Sequence, residues 1–159
     1  MNPEQRNKVL SLVLGLVIIA LSYYLYDSIV TPYQEVIIRK EMTERVRTRM
    51  VSVKDAIIYY QSKNDGNLPP TEGGLDSLVA FLKGDSLAIA NGDSMFKQRP
   101  PLKYSPDSLI LSPIAPFNRF TYTANDTMRP PLYTLNDPDS QDQIGDLQRT
   151  TMLNAPSWN

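Results

Sequence analysis

Cysteine and histidine are both absent from the 159 residues. Without thiols there can be no disulfide, and without thiols or imidazoles there can be no zinc or iron–sulfur site built on those ligands. Every catalytic scheme that relies on a cysteine nucleophile or a histidine base is excluded as well. Glycine is scarce, seven in all, and none falls in a G-x-G-x-x-G or G-x-x-x-x-G-K pattern, so no phosphate-cradling loop is present. Basic excess is missing too: sixteen Lys and Arg stand against seventeen Asp and Glu, a formal net charge of −1. Backbone phosphates demand a basic surplus, so no nucleic-acid partner is expected. The length leaves room for one domain with appendages.

What the chain does have is one concentrated apolar run. Val9 to Tyr26 carries no charge between Lys8 and Asp27. As a helix it would be about 27 Å long, close to the hydrocarbon thickness of a bilayer at about 30 Å, so residues 9–26 are expected to form a transmembrane helix. A cleaved signal peptide is the competing reading. Its apolar core is ordinarily shorter and ends in small residues, whereas this run ends in Tyr23, Tyr24 and Tyr26, aromatics suited to the headgroup boundary. Arg6 and Lys8 precede the run and Asp27 follows it. The positive-inside rule then puts residues 1–8 in the cytoplasm and the rest of the chain on the far side.

Thr31-Pro32-Tyr33-Gln34 has the pattern of a helix start, with a capping threonine, proline in the first turn and glutamine at the third position. The sequence therefore predicts a second helical segment over 31–63, stopped by Asn64-Asp65-Gly66-Asn67 and Pro69-Pro70. Within it Met42, Val46, Met50, Val53, Ile57 and Tyr60 form a stripe at helical spacing, while Glu35/Arg39 and Glu41/Arg45 make i,i+4 pairs on the outer face. The stripe suits either the chain's own C-terminal part or a partner helix. Arg39, Lys40, Arg45, Arg47 and Arg49 read as a solvated face, or as a contact with anionic lipid or an acidic neighbour. Tyr59, Tyr60 and Trp158 read as packing residues.

Eleven of the thirteen prolines lie beyond residue 64, and the helical period fades there. A short helix is expected from Thr71 to Gly84 on Leu75, Leu78, Val79 and Leu82. A long loop should follow over 85–106, with a short helix near Leu87–Ala90. Strands are expected at Ser108–Ser112, Arg119–Thr123 and Pro131–Leu135. A sheet with one apolar face needs a cover, and the stripe of the long helix provides one. The expected fold class is α+β: an apolar helix continuing into a long amphipathic helix, packed on a small antiparallel sheet within a head at 64–159.

Three stretches in that head resemble the pseudopilins of type II secretion systems, the major pseudopilin above all. Leu68-Pro69-Pro70-Thr71-Glu72-Gly73-Gly74-Leu75-Asp76-Ser77-Leu78 is similar to the family's Tyr-Pro-Thr-Thr-Glu-Gln-Gly-Leu-Glu-Ala-Leu segment after the long helix. Ser112-Pro113 and Pro116-Phe117-Asn118-Arg119-Phe120-Thr121-Tyr122 stand where the family has an Asp-Pro-Trp-Gly-Asn-Pro-Tyr turn and strand, without its tryptophan. Tyr133 to Ser140, Gly145-Asp146 and the closing Trp158-Asn159 resemble the family's C-terminal loop and final tryptophan. The resemblance spans residues 31–159 and implies a pilin-like fold. It departs at the start of the chain, where the family's Phe-Thr-Leu-Ile-Glu beginning is lacking and Glu4 lies outside the apolar run.

Between Asn136 and Asp146 stand four aspartates and no basic residue. Carboxylates and carbonyls at such spacing can wrap a hard cation, which wants six to eight oxygens, although the pattern is not an EF-hand. The resemblance implies Ca2+ here, held by Asp137, Asp139, Asp142 and Asp146 with the Leu135 carbonyl. The plain alternative is a solvated acidic turn shaped by Pro138 and Gly145. Catalytic carboxylate pairs need burial or a cleft that polar turn residues do not offer, so no enzyme and no small-molecule substrate are expected.

The functional expectation is a structural subunit of a type II secretion or pilus-like assembly. It would sit in the bacterial inner membrane with a periplasmic head, and its partners would be the lipid bilayer and either other membrane-protein subunits or copies of itself. The alternative is an accessory or scaffold subunit of an unrelated inner-membrane complex.

Overall fold

The computed structural model of the protein describes residues 3–97 and 103–158. The first two residues, residues 98–102 of the loop expected over 85–106 and Asn159 lie outside them. Four helices come first: α1 (Pro3–Lys63), α2 (Gly74–Gly84), α3 (Ser86–Met95) and the single turn α4 (Pro106–Leu109). Three strands follow, β1 (Thr121–Asn125), β2 (Leu132–Asn136) and β3 (Gln143–Gly145), then a 3-10 turn at Thr150–Met152. The fold is α+β, and the chain divides into two compact units, Met1–Met42 and Thr43–Asn159.

The first unit is helical throughout its described residues, and its Val, Leu and Ile side chains are exposed apart from the half-buried Val30. It carries a segment long and apolar enough to cross a membrane. The expected boundary at residue 31 is absent, and Pro32 lies inside α1. Proline removes its own amide donor and crowds the carbonyl one turn back, yet α1 runs through it. Thr31 does not act as a start signal either, because its hydroxyl donates to Asp27 Oδ1 at 2.9 Å.

In the second unit the stripe of α1 is buried at Val46, Met50, Val53 and Ile57, joined by Ala56. Met42, read as its first member, is exposed, and Tyr60 is half-buried against the core. The stripe belongs to one apolar cluster with Leu75, Leu78 and Leu82 of α2, Ala88 of α3, Leu109, Phe120, and Tyr133, Leu135 and Ile144 of the sheet. The three strands pair antiparallel in the order β1-β2-β3, with Tyr122 opposite Leu135 and Leu135 opposite Ile144. Period-two alternation therefore puts Tyr122, Ala124, Tyr133, Leu135 and Ile144 on one face, and all five belong to or pack on that cluster.

Several local expectations shift. Helix α2 starts at Gly74 after Gly73, whose φ of 80° no side chain caps; Thr71, the expected cap, instead donates to the Ala124 carbonyl and accepts from its amide. The loop expected over 85–106 contains the ten-residue α3, capped by Asp85, which accepts from the Ala88 amide at 2.8 Å. Helix α3 includes the short helix expected near Leu87–Ala90 and extends it through Gly92 to Met95. That glycine is there for packing, since a Cβ at this position would fall 2.1 Å from the Tyr104 ring. The strand expected at Ser108–Ser112 is replaced by α4, with Pro106 in its first turn, and only Leu111 bridges to Arg119. The other two expected strands are found one or two residues later in the chain. β3, inside the acidic stretch, goes unread because a three-residue strand with one large apolar side chain has no periodic signal.

Gly145 is fixed by geometry. Its φ is +83°, and an added Cβ would sit 2.3 Å from the Tyr133 carbonyl oxygen. Gly66 has a similar φ of +82° but open space around it. Thermal unfolding should therefore show Gly145→Ala destabilised by about 3 kcal/mol and Gly66→Ala by about 1 kcal/mol.

Candidate functional site

The acidic stretch forms the turn between β2 and β3 and the exit from β3. The turn closes on itself: the Asp137 amide donates to the Asp142 carbonyl, and the Asp142 amide to Ser140 Oγ, each at 3.1 Å. The five residues expected to share a cation are not gathered. Leu135 is buried in mid-strand between Tyr122 and Ile144. Asp139 Oδ1 accepts from the Asn118 side-chain amide at 2.7 Å. Asp146 caps the next turn, accepting from the amides of Gln148 at 2.7 Å and Arg149 at 3.0 Å, and those two bonds hold its carboxyl below the usual range. Asp137 is 4% exposed, with Oδ1 buried and unpartnered. No group of three or more Asp, Glu, His or Cys side chains that could hold a metal ion occurs among the described residues.

Asp142 meets a cation from far away in sequence. Arg47 of α1 grips it with two nitrogens, Nε to Oδ2 at 2.8 Å and Nη2 to Oδ1 at 3.1 Å. The carboxylate in turn raises the guanidinium pKa through that hydrogen bond. Over the same guanidinium lies the Trp158 ring, 5.2 Å to its centroid. Trp158 is brought there by the chain end, which runs along β3. The Gly145 amide donates to the Ala155 carbonyl at 3.0 Å and the Ser157 amide to the Gln143 carbonyl at 2.8 Å, with Ile144 bridged to Pro156.

Arg49 is the other basic residue whose environment the sequence reading did not anticipate. It is buried, donates through Nη1 to the Ser108 carbonyl at 3.1 Å, and keeps Nε unpartnered, so desolvation lowers its pKa. The basic face expected on α1 is thus split: Lys40 and Arg45 are exposed, whereas Arg47 and Arg49 are drawn into the fold. A signal for Arg49 was available, because it stands three residues after Val46 and four before Val53, on the apolar stripe itself. Arg47 gave none, since its partner lies 95 residues away.

A second polar joint ties α1 to α3. Tyr59 donates to Asp85 Oδ2 at 3.0 Å, while Asp85 Oδ1 caps α3. The Ala88 amide foremost, with Tyr59 assisting, holds the Asp85 carboxyl below its ordinary pKa. Around it Tyr59, Tyr60, Phe81, Phe96 and Tyr104 pack ring against ring at 5.0 to 6.2 Å. Burial pushes the Tyr104 hydroxyl up to about 12. A surface cleft beside α2 is lined by Thr71, Gly73, Gly74, Thr121 and Tyr122, and its one arginine, Arg119, is paired with Asp76 at 2.8 Å.

No family model matches the chain, and neither a curated protein nor a solved structure matches it.

Asp85 and Asp146 both have depressed folded-state pKa values. Their contribution to stability is complete above the ordinary carboxylate pKa of about 4 and is lost as pH falls through the lower folded value. Asp85→Asn and Asp146→Asn keep a side-chain acceptor but cannot titrate. Melting curves of each variant should show a smaller loss of Tm than the parent between about pH 6 and about pH 3; an equal loss would mean that other carboxylates govern the acid limb.

Proposed function

We propose that the protein is a non-enzymatic, membrane-anchored structural subunit of a type II secretion or related pilus-like assembly. Its apolar segment would be held in the bacterial inner membrane, its N-terminus would be cytoplasmic and its head periplasmic. The observation that carries this reading is the division of labour along α1. Val9–Tyr26 is apolar with its large side chains exposed, whereas Val46–Ile57 of the same helix supplies one wall of an α+β core. Apolar side chains on every side of a helix are suited to lipid, and a stripe is suited to a folded head. The pseudopilin-like stretches at Leu68–Leu78 and Tyr133–Asp146 give the reading its family. Lateral packing of the apolar segment, together with contacts made by the head, would be the mechanism; no bond is made or broken.

One observation favours a second reading, an accessory or scaffold subunit in an unrelated inner-membrane complex. The apolar run carries no glutamate, which removes the residue that docks subunits of the resembled family into a filament.

Two measurements test the proposal. Deleting residues 9–26 should move the chain from the carbonate-resistant membrane fraction to the soluble fraction, and continued membrane retention would refute the anchor. Purifying the full chain from native membranes in mild detergent, with intact mass and identification of everything co-purified, should return secretion-assembly ATPase or platform proteins. Fixed stoichiometry with an unrelated complex would establish the second reading instead.

A further inference from the structure

We propose that the acidic turn 137–142 carries its own cation, the Arg47 guanidinium, and is stable without a divalent ion. The inference is independent of whether the chain assembles into a filament. A turn with three aspartates, no basic residue of its own and a buried carboxylate needs positive charge nearby, because clustered carboxylates repel and desolvation penalises them. Calcium would answer that need with six to eight oxygens at one point. The fold answers it differently. Asp142 spends both oxygens on the two-pronged grip of Arg47. Asp139 is turned to the Asn118 amide, and Asp146, outside the turn, to two backbone amides. Asp137 Oδ1 is buried and unpartnered, and among the described residues no three carboxylates come together as a group that could hold a metal ion.

The guanidinium suits this place for a chemical reason. Its planar fork matches a carboxylate in two parallel bonds, and its flat face accepts an aromatic ring. Asp142 takes both prongs of the fork, and the guanidinium carbon lies over the Trp158 ring, 5.2 Å from its centroid. A lysine would supply the charge without the fork. Because Trp158 is held by the pairing of the chain end along β3, one arginine joins three parts of the head: α1, the β2–β3 turn and the C-terminal segment.

The experiment uses the full chain in detergent. Melting is followed through Trp158, the single tryptophan, in millimolar calcium and in excess chelator. The parent should melt at the same temperature in both, and terbium should give no tryptophan-sensitised emission that calcium displaces. Arg47→Gln and Asp142→Asn should each lower Tm by roughly 5 °C, with the double variant no worse than the poorer single, and Arg47→Lys should recover only part of the loss. A calcium-dependent rise in the parent's Tm, or saturable terbium emission displaced by calcium and abolished in Asp137→Asn, would overturn the inference. So would an Arg47→Gln variant that melts with the parent. The calcium and terbium measurements on the parent decide the matter even if neither variant folds.

Discussion

The head depends on the burial of the α1 stripe, Val46, Met50, Val53 and Ile57, in the same core as the inner face of the sheet. A three-stranded sheet whose last strand has three residues has too few ladder bonds to stand in water, and one apolar face left wet would defeat it. The stripe removes that face from solvent. Leu135, at the centre, is flanked by Tyr122 and Ile144 in the ladder, so the register of both strand pairs is tied to which side chains reach the helix. Slipping either strand by one residue would turn its apolar set outward.

Around this core the polar joints specify position more than they supply stability. Arg47–Asp142 is partly buried on both sides, at 29% and 14% side-chain exposure. A pair of this kind returns only part of what desolvation costs, but its geometry admits one arrangement. Tyr59–Asp85 plays the same role at the other end of the helix, where one carboxylate both caps α3 and receives a hydroxyl from α1. Arg49 is the exception, with a buried nitrogen that no partner satisfies.

The two uses of α1 frame the functional reading. Its first part carries a segment long and apolar enough to cross a membrane, and its last part is apolar on one stripe that is buried in the head's core. In the head, Arg119 pairs with Asp76, and in the β2–β3 turn Asp142 and Asp139 accept from side-chain donors while Asp137 Oδ1 is buried without a partner.

The sequence by itself determined the elements whose signal is periodic or local. It was enough for the apolar run, the α1 stripe from Val46 to Ile57 and the helix end at Lys63, for α2 through Leu75, Leu78 and Leu82, and for an antiparallel sheet after it. These follow from spacing and from proline and glycine stops, which act within a few residues. What only the tertiary structure decided is everything set by contact across the chain. Helix α3 is expected from sequence only at Leu87–Ala90, and its continuation through Gly92 leaves the space that the Tyr104 ring occupies. β3 forms because β2 and the chain end pair on either side of it. Asp142 goes to an arginine 95 residues away and Asp139 to an asparagine amide 21 residues away, partners that spacing does not reveal, whereas Asp146 caps amides only two and three residues on. A carboxylate's role is set by the charge and hydrogen-bond donors around it, and the sequence shows only its neighbours along the chain.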